Sequence, residues 1–305
     1  MKHPLRFYVA VLPNLPWPEL LARYQQVESL GFDMVSFADH FIDWSNPPSP
    51  WFELWTQVAA VAQATSRIRL LTGVAQIPLR DPATLANHAL TVDHISGGRL
   101  ELGLGIGLTI DPSYEMMGLE NWSNKERVAR VREYLEVVDL LLSQQVSSYE
   151  GHYYQLHDAV MSPSPVQRPR PPITLAAMGP KMLKHAARYA DVWNSMSFAD
   201  NFETQLAQTR ERISKIDGHC EAFDRDPASL IRSYHMFDPS SRAGGGAIIY
   251  YQSTAAFADM VSRVTALGIS DIGLYYPMQA AQLEVFERIA SEVIPALKAE
   301  HTGTP

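Results

Sequence analysis

The sequence predicts a single-domain parallel (β/α)8 barrel, a TIM barrel with insertions. Three observations predict it. Strand-like and helix-like patterns alternate from end to end. Eight strands can be counted, each followed by a helical segment. The length, 305 residues, is one that single α/β barrels reach. A doubly wound sheet is the alternative architecture. It differs by a reversal of strand order that no sequence pattern displays.

The elements follow in order. Residues 7–12 (FYVAVL) are an apolar run of strand length. Pro18 suits a first helical turn, and Leu20, Leu21, Tyr24, Val27 and Leu30 recur at helical spacing before Gly31. Residues 33–38 form the second strand, and Leu54, Val58 and Val61 mark the second helix. Residues 67–74 form the third strand. Asp81 caps and Pro82 opens the next helix, which runs through Leu85, Ala89 and Val92. Residues 99–104 form the fourth strand. Ser123 and Glu126 have capping-box spacing ahead of a stripe of Val128, Val131, Leu135, Val138 and Leu142. Residues 146–156 predict a hairpin turning at Glu150–Gly151. Residues 159–172 are a Pro-rich, extended excursion within the domain, because the alternation resumes after it. Strands at 173–177, 191–194, 230–237 and 271–275 complete the eight. Helices are expected from Pro180 and over 201–223, 254–267 and 280–297, and a mobile loop over 238–252.

Composition narrows the function classes. Hydrophobic residues make up 46% and charged residues 19%, which excludes a disordered chain. Lys and Arg number 25 against 33 Asp and Glu, a net charge of −8. With no basic run, nucleic acid is not an expected partner. One cysteine, Cys220, excludes a disulfide framework. No apolar run reaches membrane-spanning length, and the first residues lack the pattern of a signal peptide, so a cytoplasmic location is expected. His88 and His94 fall on different faces of one helix, and the other histidines sit in no ligand constellation. No metal site is expected.

In a barrel of this kind ligands lie at the C-terminal ends of the strands. After the second strand comes Asp39-His40-Phe41-Ile42-Asp43-Trp44. His40 is suited to proton transfer or hydrogen bonding, Asp39 to orienting it or accepting a proton from a cofactor heteroatom, and Trp44 to closing over a planar ligand. Each also has an ordinary structural reading. The fourth strand ends in Gly103, Gly105 and Gly107, a GxGxG spacing that is weak as a dinucleotide fingerprint and compatible with a bare backbone floor under a flat ring. The fifth ends in Ala176-Ala177-Met178-Gly179-Pro180, a small-residue turn into a helix whose free N–H groups suit a phosphate.

These strand ends, in this order, resemble the luciferase-like monooxygenase superfamily. The most specific stretch is TGVAQIPLRDPATLANHALTVDHISGGRLELGLGIG, residues 72–107. The segment SFADHFIDW resembles that of the deazaflavin enzymes and favours coenzyme F420 over FMN. The resemblance implies cofactor contacts from Asp39, Gly73, Val74, Gln76, Gly105, Ile106, Gly107, Ala176, Ala177, Met178 and Gly179. It implies a cis Gly73–Val74 peptide behind the ring, with His40 and Trp44 facing the substrate, and a homodimer. The sugar-phosphate dehydrogenases of this group carry a Glu where Leu108 stands, and a basic residue beyond the sixth strand where Ser195-Met196-Ser197-Phe198 stands. Trp44, Leu108, Met196 and Phe198 therefore predict a pocket for a neutral, fairly hydrophobic small molecule. The expected reaction is F420-dependent reduction of an activated C=C, C=N or C=O bond. An FMN-dependent monooxygenase and a non-catalytic binding barrel are the alternatives.

Overall fold

The computed structural model describes residues 3–238 and 246–303. Strands β1 (Arg6–Ala10), β2 (Met34–Phe37), β3 (Arg69–Thr72), β4 (Ala75–Gln76), β5 (Leu100–Gly105), β6 (Val146–Glu150), β7 (Gln155–Val160), β8 (Ile173–Ala176), β9 (Val192–Ser195), β10 (Ile231–His235) and β11 (Asp271–Tyr275) alternate with helices. The helices are α1 (Trp17–Ser29), α2 (Leu54–Ala64), α3 (Pro82–Ser96), α4 (Ser113–Met116), α5 (Asn124–Ser143), α6 (Pro180–Tyr189), α7 (Phe202–Glu221), α8 (Thr254–Thr265), α9 (Leu283–Arg288) and α10 (Ile294–Gly303).

All barrel strands pair in parallel, in the order β1, β2, β3 with β4, β5, β8, β9, β10, β11, and β11 pairs back with β1. The sheet closes into a (β/α)8 barrel, which excludes the doubly wound alternative. Alternation sorts the side chains. Phe7 and Val9 of β1 join the core shared with the helices, whereas Tyr8 clusters with Met34 and Leu71 inside the barrel. Helix starts are fixed by side-chain caps: Glu53, Asp81, Ser123, Asn201 and Ser253 each accept a backbone N–H of the first turn. Such a cap is worth about 1 kcal/mol.

Four expectations change. The third strand is not continuous over 67–74. It breaks at Gly73–Val74, whose peptide is cis as the family resemblance implies, leaving β3 and β4 on either side. The hairpin runs to Val160, with 151–154 as its connection, so residues 159 and 160 belong to a strand and not to the excursion. The excursion is not extended. It bends, with cis peptides before Pro163 and Pro169, and is tied to the barrel by Gln167, which hydrogen-bonds Asp93, Arg69 and the Leu100 carbonyl. The C-terminal helix is not one piece. A 3-10 turn (Ala280–Gln282) leads into α9, and a π turn (Ile289–Val293) separates α9 from α10. The mobile loop expected over 238–252 falls partly on 239–245, outside the described residues. Beyond them Ile248, Tyr250 and Tyr251 are buried, with both backbone polar groups of Ile248 bonded by the Gln282 side chain.

Candidate active site

A cavity of about 300 Å³ opens at the C-terminal ends of the strands. His40, Trp44 and Trp51 line one side, all from the segment between β2 and α2. Gly73, Val74, Leu108 and Ala176 line another, with Met196 and Phe198 from the segment after β9. Tyr8, Asn194, His235 and Tyr275 form the floor. Eight of the anticipated residues thus meet on one wall system: His40, Trp44, Gly73, Val74, Leu108, Ala176, Met196 and Phe198.

The other eight lie behind it. Asp39 is 4% exposed and holds Arg80 in a two-pronged ion pair at 2.5 and 3.0 Å. It also accepts the Gln76 backbone N–H at 2.8 Å. Burial pushes its carboxyl up, and Arg80 opposes that shift. The Gln76 side chain donates to the Asp39 carbonyl and accepts from the Tyr114 hydroxyl. Gly105 sits against Val74; any Cβ there would overlap the Val74 side chain. Ile106 gives its carbonyl to Arg127 at 2.6 Å. Gly107 has φ +65°, the left-handed region that favours glycine. Ala177 is buried and accepts the Trp193 indole N–H at 2.8 Å. Met178 lines a second hollow with Pro180, Gln208, Arg212 and Lys215. Gly179 begins α6, and nothing lies within 4 Å of a Cβ added there.

His40 is held by two ring contacts and a carboxylate. Its ring stacks on Trp44 at 5.4 Å and meets the edge of Trp51 at 5.7 Å. Its Nδ1 lies 2.7 Å from Asp111 Oδ2. Of the roles the sequence leaves open for Asp39, orienting His40 is taken instead by Asp111, from the segment after β5. Asp111, Trp51 and His235 were missed. Asp111 and Trp51 sit in connections without periodicity, and His235 closes a strand with no polar neighbour in sequence to mark it.

A match to the luciferase-like monooxygenase family spans residues 5–241. The chain belongs to that family. An F420-dependent glucose-6-phosphate dehydrogenase of Kineococcus radiotolerans is 33% identical over 232 residues, covering 71% of this chain and 67% of that one. An F420-dependent hydroxymycolic acid dehydrogenase of Mycobacterium tuberculosis is 28% identical over 277 residues, covering 88% of this chain and 70% of that one. An F420-dependent secondary alcohol dehydrogenase, solved with an F420–acetone adduct, shares the fold with a TM-score of 0.80 at 17% identity. That match covers 95% of this chain and all of the other, 100%.

Two groups of this luciferase-like site are shifted in ways that matter to its chemistry. Behind His40, burial alone would raise the Asp111 carboxyl, but hydrogen bonds from His40, Ser113 and Gln76 outweigh it and hold the group well below the usual carboxylate range. At the floor, burial pushes the His235 imidazole down to about 4, so it is neutral at physiological pH. It lies between the Tyr8 and Tyr275 rings at 5.7 and 4.5 Å. Among the described residues, no group of three His, Cys, Asp or Glu side chains is placed to hold a metal ion. Among the same residues, no helix is long and apolar enough to cross a membrane.

Proposed function

We propose that this protein is an F420-dependent oxidoreductase acting on a neutral, fairly hydrophobic small molecule, with reduction of an activated C=C, C=N or C=O bond as its reaction. The carrying observation is the cavity itself. His40, its Nδ1 engaged by a carboxylate, stands among largely apolar and aromatic walls above a buried His235, with no Lys or Arg among the described lining residues.

The residues present fit the cofactor. Gly73, Val74 and Ala176 line the cavity without a long side chain, which suits a flat ring. The open turn at Gly179 presents the start of α6 to a phosphate, with Arg212 and Lys215 lining the adjacent hollow. When bound there, F420 supplies or accepts a hydride. The chain's own residues do the rest. Trp44, Leu108, Met196 and Phe198 exclude water and orient the substrate's apolar body. His40 Nε2 gives a proton to the substrate heteroatom or takes one from it. A charged sugar phosphate would find no cation among the described lining residues, so the reading departs from the glucose-6-phosphate enzymes in substrate while keeping their cofactor. Homodimeric assembly and a cytoplasmic location belong to the same reading, and sedimentation of the purified protein measures the first.

Fluorescence titration with F420 and, separately, FMN tests the cofactor. Micromolar or tighter F420 binding with weak FMN binding is expected. Reduced F420 with 2-cyclohexenone, a neutral enone, then tests the chemistry by return of the oxidised absorbance. An FMN preference with oxygen consumption would replace this reading by flavin monooxygenation.

A further inference from the structure

We propose that Asp111 is the positioning residue of His40, and that a buried hydrogen-bonded chain of Arg127, Tyr114 and Gln76 exists to hold Asp111 in that role. The inference rests on the reading of His40 as the proton-handling group.

The two tryptophans restrain the plane of the imidazole but not which nitrogen faces the cavity. A half-turn about the Cβ–Cγ bond would keep both ring contacts. The choice is made by Asp111 Oδ2, 2.7 Å from Nδ1. A carboxylate only accepts, so Nδ1 carries the hydrogen and Nε2 is left for the substrate, as acceptor in the neutral ring and as donor in the cation.

Asp111 is itself fixed. It is 2% exposed, and its oxygens accept Ser113 N–H at 2.9 Å and Gln76 Nε2 at 3.0 Å. The Gln76 amide has one orientation that suits its neighbours. Its Nε2 has two hydrogens for Asp111 and the Asp39 carbonyl, so its Oε1 faces Tyr114, whose hydroxyl donates to it; His40 Nδ1, 3.2 Å from the same Nε2, keeps its own hydrogen toward the nearer Asp111. The Tyr114 oxygen in turn accepts from Arg127 Nη1 at 3.0 Å. Arg127 is fully buried, and its other partners are the uncharged oxygens of Ile106, Trp122 and Asn121. The chain therefore runs one way, from a buried cation through a hydroxyl and an amide to a buried carboxylate. Each link in it has one consistent donor and one consistent acceptor. Gly107 admits the chain: a Cβ there would overlap the Tyr114 hydroxyl and the Gln76 Oε1. The last glycine of the GxGxG turn thereby serves the histidine.

The test is Asp111→Asn in the whole protein, with Tyr114→Phe as a second variant. Asn keeps the shape but offers one acceptor oxygen to three donors. In the free protein, ¹⁵N NMR of labelled histidines, with the His40 signals assigned by their loss in His40→Gln, reports the tautomer without cofactor. The wild type is expected to show the Nδ1–H form alone, and Asp111→Asn a mixture. Turnover of 2-cyclohexenone should fall roughly 100-fold in Asp111→Asn with the F420 Kd unchanged. Tyr114→Phe should shift both readouts in the same direction by less, and Asp111→Glu should restore part of each. A pure Nδ1–H tautomer with undiminished turnover in both variants would overturn the proposal. Failure of the wild type to bind F420 would overturn the functional reading instead, and the tautomer comparison would still decide this one.

Discussion

At the residue scale, two histidines of one cavity have opposite surroundings. His40 faces a carboxylate and two indoles; His235 faces two tyrosine rings and the barrel floor. Replacing His40 by Gln should lower turnover by roughly 100-fold or more while leaving the F420 Kd within a few-fold. Equal loss of both in steady-state and titration measurements would remove its proton-handling role. His235 makes a different prediction. Its folded pKa of about 4 lies below the ordinary histidine value, so the unfolded chain binds the extra proton between pH 6.5 and 4. Its contribution to stability is therefore full above pH 6.5, falls on acidification and levels off below about 4. The loss is up to about 3 kcal/mol. His88 and His185 are also pushed down by burial and add to it with the same sign. Urea unfolding across this range should be shallower in pH dependence for His235→Gln than for the wild type. His40 was legible because a strand end beside an aromatic segment is where barrel chemistry sits. His235 and Asp111 were not, since nothing local distinguishes a histidine at a strand end from a core one, or an Asp-Pro turn from a proton-positioning carboxylate.

At the element scale, the helices were legible wherever caps and apolar spacing agreed. Asp81 and Ser123 cap as their positions indicated, and the stripe on α5 is buried at Val131, Leu135, Val138 and Leu142. The misreadings lie where tertiary partners decide. The tie of Gln167 to Asp93 and Leu100 and the π turn before α10 depend on contacts remote in sequence, whereas the cis Gly73–Val74 peptide that ends β3 is the one the family resemblance implied. The GxGxG turn was legible as a turn but not as to what it approaches. Gly107→Ala separates the two assignments. Its left-handed φ and the neighbouring Tyr114 and Gln76 oxygens predict a stability loss of at least about 1 kcal/mol by chemical denaturation. If Gly107 serves the network behind His40, turnover falls while F420 affinity holds. A loss of F420 affinity without a change at His40 would return the glycine to the cofactor. Glu53 is an element-scale case with two tasks. It caps α2 through Thr56 N–H at 2.7 Å and accepts from Arg80 at 2.8 Å. Glu53→Ala should cost about 1 kcal/mol in thermal or urea unfolding.

At the scale of the whole molecule, the two ends of the barrel hold charge for different purposes. The C-terminal end holds the cavity. The N-terminal end is plugged by Arg6, Arg69, Glu101 and Asp271, residues at or near the first positions of β1, β3, β5 and β11. Arg6 reaches Glu101 at 2.7 Å and Asp271 at 2.6 Å, and Arg69 reaches Glu101 at 2.5 Å. Both carboxylates are 2% exposed. Burial pushes the Asp271 carboxyl up even with Arg6 opposing it. Arg6→Met would keep much of the side-chain volume and strip Asp271 of that cation, while Glu101 retains Arg69. Breaking a buried pair in this way costs about 3–5 kcal/mol at neutral pH. The sign of the pH dependence follows. With its folded pKa raised further above the unfolded value, Asp271 takes up a proton in the folded state as pH falls. The deficit of the variant against the wild type should then be largest near pH 7 and shrink toward pH 4. Because the cluster lies at the end of the barrel away from His40, the F420 Kd of the folded variant should match that of the wild type. A constant deficit from pH 7 to 4 would mean that Asp271 stays ionised without Arg6, and a weakened F420 Kd would mean that the two ends are mechanically coupled through the strands.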